Sequence, residues 1–460
     1  MSVSKAIHAV QRISNDLVVL PETPPYDDLT NSYFSALERE LAPACFLTPN
    51  SATQVSDIVK AIKPFASEND GLKVAVCGVG QQTTPGVANV RGGITIHLKN
   101  LRGVEVDKEN MVVSVAAGEK MGSVYEEVGK LGLGVAGNRH SGGGIGGDAL
   151  QGGLSYFSYV RGFISDDVVD FEVVLSNGAI VNANASFNPD FFAALKGGGA
   201  NFGIVTRFTL RVFELQQILI DYLHEPEPDT GIHICLSLGY AAALGQIMCM
   251  NDIFSTGPEK PKALEPFADV QLQIDQMNTL RADSLKGLTD EAFGSAASNR
   301  VVKMTTTVKA DTRILEYAVE KYCAAFKNLK GVANLLFSLS FEPIPVSMLE
   351  ASAQSGENAI GLNPSDGPLV VVLFYTSWDN ASDDETVYKV NKEALRAIEE
   401  EARGKDVDAR YRYLKYAFPG QDAIGSYGEE RKAHLQAVSA KYDPDRFWQV
   451  AGAGPFKLGK

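Results

Sequence analysis

Three glycine-dense loops hold the residue types best suited to gripping an anion. The first, residues 76–86, reads Val-Cys-Gly-Val-Gly-Gln-Gln-Thr-Thr-Pro-Gly and follows a short apolar run from Leu72. Placed after a strand, the amides of Cys77, Gly78, Val79, Gly80, Gln81 and Gln82 can turn inward as a nest for phosphate oxygens. The second loop, 137–147, strings Gly137, His140, Ser141, Gly143, Gly144 and Gly147 among further glycines. The third, 197–205, runs Gly-Gly-Gly-Ala-Asn-Phe-Gly-Ile-Val and includes Gly199, Gly203, Ile204 and Val205.

Within the second loop, Gly142 to Gly147 fits GxGxxG, the signature of a dinucleotide fold only when a strand precedes it and a helix follows. The preceding Leu131-Gly132-Leu133-Gly134-Val135 is a poor strand, and Gly152-Gly153 interrupts any following helix. A Rossmann site is therefore disfavoured, and glycines serving only tight turns remain the plain alternative.

Hydrophobic spacing supplies the elements that must position these loops. Val55, Ile58, Val59 and Ile62 recur at helical spacing after Thr48-Pro49-Asn50-Ser51. Strands are expected over 72–77, 93–98, 111–115, 171–175, 179–182 and 202–212, with a helix over 120–131 and a short one from Pro189 to Lys196. Ser176-Asn177-Gly178 between two strands predicts a hairpin. After about residue 215 the texture changes, and Glu-Pro-Glu-Pro-Asp-Thr at 225–230 reads as a boundary. Strands at 246–250, 301–308 and 369–375 then alternate with helices at 314–327 and 384–403, which predicts one antiparallel sheet with helices on one side.

Composition narrows the partners. The 460 residues carry 42 Lys plus Arg against 56 Asp plus Glu, a net charge of −14, so a nucleic-acid partner is not expected. Five cysteines without a CxxC pair and six scattered histidines predict neither a metal site nor a disulfide framework. No apolar window is long enough for a membrane span, and no signal core opens the chain, so an intracellular, cytoplasmic protein is expected.

The order of these pieces resembles the flavin-linked oxidoreductases of the vanillyl-alcohol oxidase superfamily, with a PCMH-type FAD-binding domain. It is closest to the berberine-bridge-enzyme-like branch of fungi and plants. Leu41-Ala42-Pro43-Ala44-Cys45 with Thr48-Pro49 matches the branch's opening. Gly143 to Gly147 through Gly152-Gly153 matches its second loop. Pro189 to Gly199 with Asn201-Phe202-Gly203-Ile204-Val205-Thr206 is the most specific segment, and Lys441-Tyr442-Asp443-Pro444 with Gly454-Pro455-Phe456-Lys457-Leu458 fits the ending. The resemblance implies an α+β protein: a two-lobed FAD-binding domain over 1–215 (core 40–215), a substrate domain with an antiparallel sheet over 216–410, and a C-terminal segment, 411–460, that returns to the first domain. It also implies FAD as cofactor, held by backbone of the three loops.

Departures from the family pattern matter as much. Where relatives carry a histidine bonded to the flavin methyl, this chain has Gln81, and where many carry a second tethering cysteine it has His140. An amide cannot form the first bond, so noncovalent FAD is expected, with a single bond to His140 as the alternative. Family amides near the C-terminus are replaced by Lys415 and Arg431. These cations could favour a reduced, anionic flavin or meet a substrate carboxylate or enolate, or simply be solvated. Tyr416 keeps the family's tyrosine and is the first candidate for proton transfer; packing against the flavin is its plainer role. Glu342 and Asp422 are weaker acid–base candidates. Gly143, by register, should leave room for oxygen near the flavin. Phe341, Phe374, Tyr375 and Trp378 are candidates to line a substrate pocket, though alternation puts only half of them inside.

The expected function is an FAD-dependent oxidoreductase: a small secondary metabolite gives hydride to the flavin and a proton to a side chain, with O2 as electron acceptor. A non-redox cyclase or isomerase using the flavin as scaffold is the alternative. A ligand-binding pseudoenzyme is the third, opposed by the intact second and third loops.

Overall fold

The computed structural model describes residues 2–66, 71–214, 231–256, 261–268, 278–293 and 299–459. Three sheets carry the chain. The first joins β1 (Val18–Val19), β2 (Cys45–Leu47), β3 (Val74–Cys77) and β4 (Ile94–His97) in the order β1-β2-β4-β3. β4 pairs in parallel with both β2 and β3. Every residue of β2 and β4 is buried, as expected of parallel strands covered on both faces. The helix Ala52–Ile62 lies on this sheet, capped by Ser51, with Val55, Ile58, Val59 and Ile62 fully buried.

The second sheet is antiparallel. It contains β5 (Val104–Asp107), β6 (Val112–Ala116), β7 (Leu133–Val135), β8 (Val168–Val174), β9 (Ile180–Asn184) and β10 (Ile204–Glu214), in the order β5-β6-β10-β8-β9, with β7 also on β10. The expected hairpin forms between β8 and β9, and Gly178 turns it at φ +78°. Residues 133–135 correct the sequence expectation: despite Gly134 they form a strand, registered through Val135 on Val212. The long neighbouring β10 imposes that pairing where local propensity is weak.

The third sheet is antiparallel throughout, in the order β12-β11-β14-β15-β13-β16. Its members are β11 (Ile232–Ala241), β12 (Gln246–Ser255), β13 (Arg300–Lys309), β14 (Leu336–Ile344), β15 (Leu369–Trp378) and β16 (Asp408–Ala409). Helices Thr312–Leu329 and Asp384–Gly404 cover one face, where Met304, Phe337, Phe374 and Trp378 form a separate core with Ile314, Tyr322 and Ile398. The boundary expected at 225–230 lies outside the described residues. The C-terminal segment packs back on the first half: Gly452 bridges Val74 in parallel, and Asn201 Nδ2 donates to Phe456 O at 3.1 Å.

Candidate active site

The three glycine loops converge. Val79 and Gly144 touch so closely that a Cβ on Gly144 would lie 2.7 Å from Val79 Cγ2, so only glycine lets the first two loops meet. The C-terminal segment closes over them: Thr84 Oγ1 donates to Ala417 O at 2.9 Å, and Tyr427 Oη donates to Gly197 O at 3.0 Å. A Cβ on Gly199, where φ is +73°, would come 3.4 Å from Leu414.

This convergence leaves groups that fit a phosphate-bearing cofactor. Among the described residues, the amides of Val79, Gln81 and Gln82 donate to no protein acceptor. Thr83 Oγ1 is buried without a partner beside them. A Cβ on Gly147 would meet nothing within 4 Å, so that glycine borders open space. Unmet donors in a cradle without side chains suit an anion. Other glycines answer to protein instead. Gly137 makes way for Met121 and Tyr125, and Gly203 for β8. Ile204 and Val205 are core residues of β10, and Cys77 is a buried thiol that burial pushes up to about 12. Gly78 packs against Ala117 O, and Gly80 at φ +76° against Tyr33. Gly143 is a correction: its missing Cβ makes room for Asn138, whose Nδ2 would lie 2.4 Å away, and not for oxygen. Asn138 organises the loop by donating to Asp148 Oδ2 at 2.7 Å and accepting from the His140 amide at 3.0 Å. Ser141 joins the same loop to the helix Leu285–Phe293 through its amide on Thr289 O at 3.0 Å.

From this loop Arg139 reaches the third sheet. Its Nη2 lies 3.1 and 3.2 Å from the two oxygens of Glu342 on β14 and donates to Tyr416 Oη at 2.7 Å. Tyr416 Oη in turn donates to Glu342 Oε1 at 3.0 Å. Arg139 Nη1 lies 3.3 Å from His233 Nε2 on β11. Lys303 on β13 places Nζ 4.9 Å from the centre of the Tyr416 ring. Arg139 from the second loop and Tyr416 from the C-terminal segment therefore meet at the Glu342 carboxylate, with His233 against Arg139 and Lys303 over the Tyr416 ring.

Charges in this group pull against burial. Burial first, with Arg139 opposing and Glu342 adding, holds the Tyr416 hydroxyl well above its ordinary range. Tyr416 is thus held as a phenol whose hydroxyl donates to Glu342. Burial, then Lys415, Lys303 and Arg139, hold His140 at about 3, a neutral ring. Burial draws Lys303 down to about 8, although it stays partly exposed. Burial and Arg139 likewise draw Lys415 toward about 7; the Asp148 carboxylate in contact with its Nζ opposes that shift. Residues 411–416 are not the strand considered from the sequence but end in a 3₁₀ turn, Leu414–Tyr416. That turn sends Lys415 to Asp148 and Tyr416 to Glu342.

Two candidates fall elsewhere. Arg431 sits on the helix Glu429–Tyr442 with its stem beside Gly361 and makes no ion pair among the described residues. Asp422 caps a turn by accepting from Gly425 N at 2.9 Å. Of the four aromatic candidates only Tyr375 shares a face with the site, opposite Lys303 in register. Phe374 and Trp378 point into the helix-covered core, and Phe341 packs against it. Arg139, His233 and Lys303 were missed. Their signal was faint: a cation in a glycine loop, a histidine in a buried strand and a lysine amid β-branched residues.

Two lobes that offer a backbone cradle, beside an antiparallel sheet that carries a buried polar cluster, define a flavoprotein. Residues 43–184 match the FAD binding domain family. The chain is 32% identical over 457 residues to an FAD-dependent monooxygenase, tpcD, of Cochliobolus heterostrophus, spanning 93% of this chain and 87% of the relative. It superposes on the wild-type BBE-like 1 protein of Physcomitrella patens with a TM-score of 0.73 at 16% identity, covering 99% of each chain. A variant of berberine bridge enzyme gives a TM-score of 0.71 at 14% identity, over 98% of this chain and 99% of that one. At such identities the superpositions speak for the fold alone. The protein belongs to the FAD-dependent oxidoreductase family of its fungal relative, and FAD is its cofactor. No helix among the described residues is long and apolar enough to cross a membrane.

Proposed function

We propose that the protein holds FAD noncovalently and oxidises a small secondary metabolite, with Glu342 taking the proton that leaves the substrate and O2 as final electron acceptor. When bound, FAD supplies the two-electron acceptor that the protein's own side chains lack. The amides of Val79, Gln81 and Gln82, the Thr83 hydroxyl and the space at Gly147 are the groups that would hold it. Gln81 cannot form the tether of related enzymes, and neutral His140 is left to packing and hydrogen bonding.

The observation that carries the proposal is the carboxylate of Glu342, 3% exposed and fixed by Arg139 and Tyr416 where the loops meet the sheet. The guanidinium orients it, and the phenol restricts its rotation. A buried, oriented carboxylate is suited to general-base work.

Purified protein should be yellow, and acid precipitation should move all flavin to the supernatant; colour in the pellet would refute noncovalent binding. Candidate alcohols and phenols should then be screened anaerobically for flavin bleaching. With a substrate found, Glu342→Gln should slow bleaching by about 10²–10⁴-fold. A wild-type rate in that variant would remove Glu342 from the mechanism. Turnover without bleaching or oxygen uptake would refute the redox reaction.

A further inference from the structure

Of the three cations around Glu342, two have a carboxylate in contact and one does not. Arg139 pairs with Glu342, and Lys415 contacts Asp148. Lys303, from the middle of β13, has neither an ion pair nor a hydrogen bond among the described residues. Its Nζ stands over the Tyr416 ring, and the nearest charges that act on it are Glu342, which favours its protonation, and Arg139, which opposes it. Asp252, opposite Cys235 in register on β12, is exposed at the cleft and acts on Arg139 and Glu342.

The surface beside Lys303 is small and hydroxylic. Ser237 and Ser340 join across β11 and β14 at 2.7 Å, Gly239 pairs with Ser338, and Tyr375 lies between Ser338 and Lys303. These side chains add hydroxyl groups beside Lys303 and no carboxylate. An ammonium held over a ring face, with no carboxylate or hydrogen-bond acceptor in contact among the described residues, is stabilised further by a ligand oxygen bearing negative charge.

We propose that Lys303 anchors an acidic oxygen of the substrate, so that the substrates are carboxylates, enolates or acidic phenols rather than neutral alcohols or sugars. This rests on the pocket above the third sheet being the substrate site. An oxygen held on Lys303 lies next to Glu342, and the ammonium offsets the repulsion between the two anions. Lys303 is a binding residue here; it takes no part in the bond changes.

The test uses the FAD-loaded protein and two probes of one shape, benzoate and benzamide, titrated while the visible flavin spectrum and the heat of binding are followed. Benzoate should bind saturably and benzamide at least tenfold more weakly. Lys303→Met and Lys303→Gln should each weaken benzoate at least tenfold and leave benzamide unchanged, while Lys303→Arg should hold benzoate within a few-fold. Equal binding of both probes, or full benzoate affinity in both uncharged variants, overturns the proposal. Full benzoate affinity with weakened FAD retention also overturns it and places Lys303 on the cofactor. If the protein carries no flavin, the functional proposal fails by itself, and the calorimetric titration still decides the role of Lys303.

Discussion

Replacing Arg139 with methionine tests the central arrangement most directly. Side-chain exposures of 19% for Arg139 and 4% for Glu342 make this a largely buried pair. Removing one partner of such a pair typically costs about 3–5 kcal/mol, because the other charge stays buried. Two features of this site reduce the figure: Tyr416 Oη still donates to Glu342 at 3.0 Å, and Lys303 lies nearby. A coupling of about 2–3 kcal/mol between positions 139 and 342 is therefore expected. Arg139→Met should be strongly destabilising, Glu342→Gln less so, and the double variant more stable than the sum of the two losses predicts. Unfolding in urea can be followed at the third sheet alone. The chain has two tryptophans, and Trp448→Phe leaves Trp378, fully buried on β15, as the single reporter. Additive losses, with coupling below about 0.5 kcal/mol, would refute the claim that Arg139 and Glu342 hold each other in place.

Gly147→Val should weaken FAD retention at least tenfold while the apoprotein melts within a few degrees of wild type, because the space beyond Gly147 holds no protein atom; a large loss of apoprotein stability would show that the space serves packing. Burial first, then Lys99 and Arg102, hold His97 at about 3, far below its ordinary value. Its contribution to stability is thus complete above the unfolded value near 6.5 and is lost as pH falls toward 3, at up to about 1.4 kcal/mol per pH unit. His97→Asn should flatten urea stability over that window, and an unchanged slope would assign acid sensitivity to other groups. Under native conditions a thiol reagent should count Cys249 and Cys323 quickly, and Cys45, Cys77 and Cys235 only on unfolding. Burial pushes each of those three thiols up to about 12, so rapid labelling of any of them would contradict the burial described.

Backbone chemistry was legible in the sequence because it is local. A nest of amides needs small residues in a row after a strand, and the loops at 76–86 and 137–147 show that pattern within eleven residues each. Apolar runs and hydrophobic period likewise located β3 and β4, which are buried on both faces or nearly so, and β10 and the two long helices of the third sheet, which bury one. Side-chain chemistry was not legible. Arg139 is 203 residues from Glu342 and 277 from Tyr416, and no spacing rule spans such distances. The error about Gly143 has the same origin. A register against related chains shows that a side chain is missing but not that Asn138 folds into its place.

The location of the carboxylate explains why the phenol could not serve in its stead. A tyrosine base needs a cation without a competing anion, and Tyr416 has Arg139 at 2.7 Å but also Glu342 at 3.0 Å. The guanidinium is thereby shared, and burial of the ring decides against the phenolate. Glu342 receives both donors, yet unequally. Its Oε1 lies 3.1 Å from Arg139 Nη2 and 3.0 Å from Tyr416 Oη, whereas Oε2 lies 3.2 and 3.3 Å from the same atoms. Oε1 is therefore the anchored oxygen, and Oε2 has the freer lone pair for a substrate proton. In the proposed reaction the sheet supplies the proton acceptor, the second loop its counter-charge and the C-terminal return its orientation. Substitutions at any of the three should disturb proton removal while leaving the backbone cradle for the cofactor intact.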